Sequence, residues 1–166
     1  MKARQEAWTL HLPQTAEYGL RALAHLATQD PAVAVSARTL ARETGVPVHY
    51  LSKVMRRMVT AGLVRASKGH GGGFCLARAP AEIALGDVLA AGEPSAASPN
   101  RCAFGWGTCD ARHPCPLHGA WSELKESAQA WARSSTLADV LAYAARHRGR
   151  APSRADALAQ LGKRRR

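Results

Sequence analysis

The chain has 166 residues, of which 46% are hydrophobic and 5% aromatic, a length and composition that support a buried core and exclude a wholly disordered chain. Its formal charge of +11 points to an anionic partner, most often nucleic acid. No apolar run approaches the roughly 20 residues of a membrane helix.

The charge is uneven. Residues 1–91 carry a net +5, residues 92–147 are neutral, and residues 148–166 carry +6. The first residues show no apolar core followed by a small-residue cleavage site, so the expected location is cytoplasmic, with no membrane partner.

In chain order, residues 13–28 read as a helix. Pro13 suits a first turn, and Leu20, Leu23, Ala24 and Ala27 form an apolar stripe. Ser36 is placed to cap a short second helix, which Thr44-Gly45 stops. Pro47 opens a third helix, through Ala61, with Leu51, Val54, Met55 and Met58 on one face. Residues 63–66 and 74–77 read as a β-hairpin with a long, glycine-rich basic tip, and residues 83–91 as one more short helix. Residues 92–116 lack periodicity. Beyond them Leu117, Trp121, Leu124, Ala128 and Trp131 recur at heptad-like spacing on a long helix. Thr136 and Asp139 mark the start of a last helix, to about Arg146. The basic residues 148–166 read as a mobile tail, adding only sequence-independent attraction to a polyanion.

This order is that of a winged helix-turn-helix, and the fold class is mainly α with a small β-hairpin wing. The second helix of such a pair enters the major groove. Here it would present His49, Ser52, Lys53, Arg56 and Arg57 opposite its apolar face. Arg38 and Arg42 on the preceding helix would hold the phosphate backbone, and Lys68 and His70 would serve on the wing. Any solvated helix carries such residues, so one helix alone says little. The clustering says more: residues 36–78 hold eight Lys or Arg against one Glu. Double-stranded DNA is the expected partner. The glycines at 71–73 lie between strands and lack a Lys-Ser/Thr ending, which excludes a nucleotide loop. No nucleophile–base pair or paired carboxylates point to an enzyme.

Cys102, Cys109, Cys115 and His118 follow a C-x6-C-x5-C-x2-H spacing. Three thiolates and an imidazole suit zinc, though zinc sites favour closer cysteine pairs. Wide gaps suit an iron–sulfur cluster. A thiol switch without metal is the other alternative, and three unligated loop cysteines are the plain one. Cys75 alternates with Phe74 and Leu76 and reads as simply packed in its strand.

These residues resemble the IscR/NsrR-type regulators, the Rrf-two family of bacterial winged-helix transcription factors. The match rests on Tyr18-Gly19-Leu20-Arg21-Ala22-Leu23, Tyr50-Leu51-Ser52-Lys53, Ala61-Gly62-Leu63-Val64 and the wing 68–74. It continues through the three cysteines, Cys115-Pro116-Leu117-His118 with Trp121, and Thr136-Leu137-Ala138-Asp139, covering roughly residues 12–145. The resemblance implies a homodimer joined by the long helix, acting as repressor or activator. It implies an iron–sulfur cluster on the three cysteines that reports iron, redox or nitric oxide status. The fourth ligand would be His118, suiting 2Fe–2S, or Glu17 of the partner subunit, suiting 4Fe–4S. The organisation then becomes a DNA-binding domain at 1–91, a cluster loop at 92–116, dimerisation and terminal helices at 117–147, and the tail at 148–166. The chain departs from the better-known members in its six-residue first cysteine gap, about ten extra leading residues, and the tail.

Overall fold

Six helices and one hairpin follow in the predicted order in a computed structural model that describes residues 12–69, 71–93 and 101–146. His70 and the basic tail lie outside the described residues.

Helix α1 (Gln14–Leu26) is shorter than predicted. Thr28 and Gln29 bond back to His25 and Leu26, a tight closure just ahead of Pro31. Its buried face also differs from the predicted stripe. Ala16, Gly19, Ala22, Leu23 and Leu26 are buried, while Leu20, Ala24 and Ala27 flank the core half-buried. Small residues set this face because neighbouring helices come close. A Cβ on Gly19 would lie 2.6 Å from the Met58 methyl carbon.

Helix α2 (Ala37–Thr44) starts where Ser36 accepts the Thr39 N–H at 3.1 Å. It ends at Gly45, whose φ of 67° favours glycine. Helix α3 (Val48–Thr60) buries Leu51, Val54, Met55 and Met58, as its periodicity predicts.

The wing pairs β1 (Val64–Ser67) with β2 (Gly73–Leu76), Val64 opposite Leu76 and Ser67 opposite Gly73. One tie was not legible beforehand. Val35 and Phe74 exchange both backbone hydrogen bonds at 2.9 Å, which fixes the wing to the segment entering α2. A Cβ at Gly73 would collide with the Val35 carbonyl, so the hairpin needs glycine there.

Helix α4 (Leu85–Gly92) begins later than predicted, after a single 3-10 turn at Pro80–Glu82. Ile83 is buried and used for docking instead. Its carbonyl accepts the Leu137 N–H at 2.9 Å, and the Leu85 N–H reaches Ser135 O at 2.8 Å. These bonds clamp the junction between α5 (His118–Ser134) and α6 (Leu137–Arg146) onto the start of α4. Thr136 and Asp139 cap α6 reciprocally, the Thr136 N–H donating to Asp139 at 2.8 Å.

Leu23, Leu40, Leu51, Met55, Met58, Leu63 and Ile83 form one core shared by α1 to α4 and the wing. Helix α4 lies against α1 at glycine distance, since a Cβ on Gly92 would stand 2.5 Å from the Ala16 Cα. Replacing Gly92 with Val should therefore force the two helices apart. A loss of about 1–3 kcal/mol is expected for such overpacking. Urea denaturation checks this, with a lower midpoint expected; an unchanged midpoint would contradict the close crossing.

Candidate nucleic-acid interface and cysteine site

The α2–α3 turn aims the polar face of α3. Val46 is buried beneath it, and the Pro47 carbonyl accepts the Leu51 N–H at 2.9 Å as the first bond of α3. With the apolar face locked inward, His49, Ser52, Lys53 and Arg56 are exposed and line one shallow concavity. Four of the five predicted α3 residues thus share one surface. Arg38 and Arg42 are exposed on α2, where Arg42 pairs with Glu43 at 2.9 Å. Lys68 is exposed on the wing next to Gly69 and Gly71, whose φ values of 92° and 78° shape the tip.

Arg57 stands apart from them. Its Nη1 donates to the carbonyls of Gly92 and Glu93 at 3.0 and 3.1 Å. Successive helix residues point about 100° apart; Arg56 and Arg57 both border a concavity beside the end of α4, and of the two it is Arg57 that bonds the carbonyls there. The guanidinium of Arg57 satisfies the end of α4 and fastens it to the recognition helix. An Arg facing solvent and an Arg gripping a helix end look alike in sequence, and no signal separates them.

Tyr50 connects α3 to α1. Its ring meets Tyr18 edge-on at 5.5 Å, and the Arg21 guanidinium lies 5.8 Å from the Tyr18 centroid. Arg21 in turn donates to Glu17 in an i,i+4 pair. Within this chain Glu17 does not line the concavity that holds the cysteines.

Cys102, Cys109, Cys115 and His118 do line one concavity, together with Trp106, Thr108, Asp110 and His113. The loop folds back by pairing Arg101 with Thr108, and Gly105 and Gly107 take φ of 75° and 85° to allow it. His118 opens α5, and its Nδ1 lies 3.3 Å from the Cys109 sulfur. The Phe104 N–H directed at the Cys102 sulfur holds that thiol below its usual pKa, against the opposing effect of burial. Burial pushes the Cys115 thiol up, and the Leu117 N–H opposes this. Asp110, which sequence reasoning passed over, accepts the Arg112 N–H at 2.9 Å, and this bond chiefly lowers its pKa. Its position directly after Cys109 was the available signal.

The donor set fits a soft metal or cluster: three sulfurs and one imidazole on one wall. The buried Trp121 Nε1–H, without a partner among the described residues, lies one helical turn past His118. The concavity is about 30 Å³, room for one or two atoms. Among the described residues no three His, Cys, Asp or Glu side chains stand at metal-holding geometry. A cluster therefore requires the loop to open around it.

A family profile described as Rrf2, iron-dependent transcriptional regulator, matches residues 12–143. The chain belongs to the Rrf2 family. It is similar to an HTH-type transcriptional regulator of Aquifex aeolicus, 30% identical over 139 residues, which span 80% of this chain and 92% of that protein. The solved structure of T. potens IscR matches with a TM-score of 0.66 and 28% identity, over 81% of this chain and 88% of that one. CymR (YrzC), titled the global cysteine regulator of B. subtilis, matches with a TM-score of 0.64 over 81% of this chain and 98% of that one. At 23% identity it supports the winged-helix fold alone. This Rrf2 chain is thus a winged-helix transcriptional regulator, and its relatives carry regulator names, not enzyme names. No described helix is long and apolar enough to cross a membrane.

The two arginines should separate on mutation. Arg56→Ala should weaken DNA binding with little change in stability. Arg57→Ala should lower stability by about 1 kcal/mol, the scale of a lost hydrogen bond. Gel-shift titration and urea melts of both variants check this; equal effects of the two on stability would contradict it.

Proposed function

We propose that this chain is a homodimeric DNA-binding regulator whose affinity is governed by an iron–sulfur cluster on Cys102, Cys109 and Cys115. The observation that carries the reading is the meeting of these cysteines and His118 at the foot of α5. When bound, the cluster supplies a charge and ligand set that change with iron supply, oxidation or nitric oxide. The rest is the work of the chain's own residues.

Helix α5 has 17 residues, so it spans about 25 Å. Leu117, Leu124 and Trp131 on its stripe are 50%, 44% and 52% exposed, and Ala132 alone on this helix is buried. A second copy of the same stripe would cover them, and this supports dimerisation through α5. Two copies of α3 would then meet successive major grooves of a near-palindromic site, about 34 Å apart. His49, Ser52, Lys53 and Arg56 would reach base edges and phosphates, Arg38 and Arg42 the phosphate backbone, and Lys68 and His70 an adjoining groove.

The loop stands between these parts. It leaves α4 at Glu93, whose carbonyl Arg57 holds, and it enters α5 at His118. Opening the loop around a cluster strains both ends, and α3 is fastened to one of them.

The 3.3 Å approach of His118 to Cys109 supports His118 as fourth ligand. Glu17 of the partner subunit is the rival, and it would first have to leave Arg21. The small concavity favours a second reading, a single zinc ion on Cys102, Cys109, Cys115 and His118. Anaerobic purification separates the two. Brown protein containing iron and sulfide is expected, and Cys109→Ala should be colourless. His118→Ala should bleach the protein if His118 is the fourth ligand, and Glu17→Ala if the carboxylate is. Colourless wild-type protein containing zinc would overturn the cluster, and a Cys109→Ala protein with an intact spectrum would overturn the ligand set.

A further inference from the structure

Trp121 is set apart from the other tryptophans described. Its indole Nε1 is buried, yet it has no hydrogen-bond partner among the described residues. An unpaired buried donor is unfavourable, and native structures keep few of them. The helix holds the Trp121 main chain, whose backbone N–H bonds Leu117 O at 2.9 Å.

Two neighbouring concavities meet at the Cys102 loop. One contains the three cysteines and His118. The other, of about 460 Å³, is lined by Arg101, Cys102, Ala103, Phe104, Gly105 and Trp121. Cys102 lines both concavities and Trp121 lines the second, so the indole and the thiols border the same stretch of loop without being bonded in the free chain. His118 and Trp121 are three residues apart on α5 and therefore lie on the same helix face. The helix that supplies the imidazole thus also brings an unused donor up to the same loop from behind.

A metal-bound thiolate is an acceptor of the kind this donor lacks. Cys102 is buried and already draws the Phe104 N–H. A sulfur accepts more than one such bond, and donors to cluster sulfurs raise the reduction potential because they stabilise the more negative reduced state. We propose that Trp121 is a positioning residue of the cysteine site: its indole N–H donates to the Cys102 sulfur when the loop is loaded. This rests on the cluster reading of the loop. It also gives α5 a second grip on the loop besides His118.

The test uses full-length wild type, Trp121→Phe and Trp131→Phe, each reconstituted anaerobically with ferrous iron and sulfide. Trp121→Phe keeps an aromatic ring but removes the donor together with part of the ring, so its packing cost has to be read separately from the loss of the N–H. Trp131→Phe makes the same change at an exposed tryptophan of the same helix. Trp121→Phe should take up iron and sulfide like the wild type. Its cluster should be reduced at a more negative potential and lose iron to a chelator about ten-fold more readily, the usual scale for a lost outer-shell partner. Without iron, Trp121→Phe should still fold, losing only the packing of the smaller ring. Trp131→Phe should match the wild type throughout. Equal potentials and equal iron retention in Trp121→Phe and wild type would overturn the proposal. So would a Trp121→Phe protein that fails to fold without iron, since the donor would then have a partner in the free chain. Wild-type protein that takes up no iron or sulfide would overturn the cluster reading itself, which this comparison shows separately.

Discussion

Everything in the molecule is positioned by how closely α1 approaches its neighbours. Gly19 lets the Met58 side chain of α3 sit against α1, and Gly92 lets α4 rest on Ala16. At Gly92 the obstacle is the Ala16 backbone, so nothing larger fits there without moving a helix; at Gly19 it is the tip of the Met58 side chain. Those contacts fix the roll of α3, and therefore which of its side chains face outward. They also fix where α4 ends, and therefore where the chain leaves the body formed by α1 to α4 and the wing.

Arg57 converts that packing into a connection. It sits on the recognition helix and holds the last carbonyls of α4. On the other side of the loop, α5 returns through Ser135 to dock on Leu85, and Leu137 docks on Ile83. The loop thus starts at an end that Arg57 holds, and it runs into α5, whose far end is docked on the body that carries α3. Under the proposed function, a change in how its cysteines are held would reach α3 through the Arg57 contact. In the proposed dimer, the exposed stripe of α5 would extend the same path to a second subunit.

Much of the fold was legible because its signals are local. Ser36 as cap, Gly45 as stop and the apolar face of α3 need only neighbouring residues to act. The buried face of α1 was misphased for a physical reason. Alanine and glycine give a weak hydrophobic signal, yet Ala16 and Gly19 are buried because helices cross there. The Val35–Phe74 tie and the grip of Arg57 on Gly92 join residues some 35 or more positions apart, which no window of sequence reveals. At the cysteine site the spacing pointed to Cys102, Cys109, Cys115 and His118, which line one concavity, and the chain turn at Gly105 and Gly107 that gathers them did not show. Trp121 was read as one member of an apolar stripe; its buried, unpaired nitrogen exists only once the loop is folded over it.

The central claim is that the state of the cysteine loop sets the DNA affinity of the α3 face. It is tested most directly by selecting a binding site from random duplexes with iron- and sulfide-loaded protein, then titrating that site with loaded and stripped protein at one salt concentration. The account predicts affinities that differ by about 5–150-fold, the usual range of coupling between two sites. Equal affinities, with cluster content confirmed in the loaded sample, would contradict it.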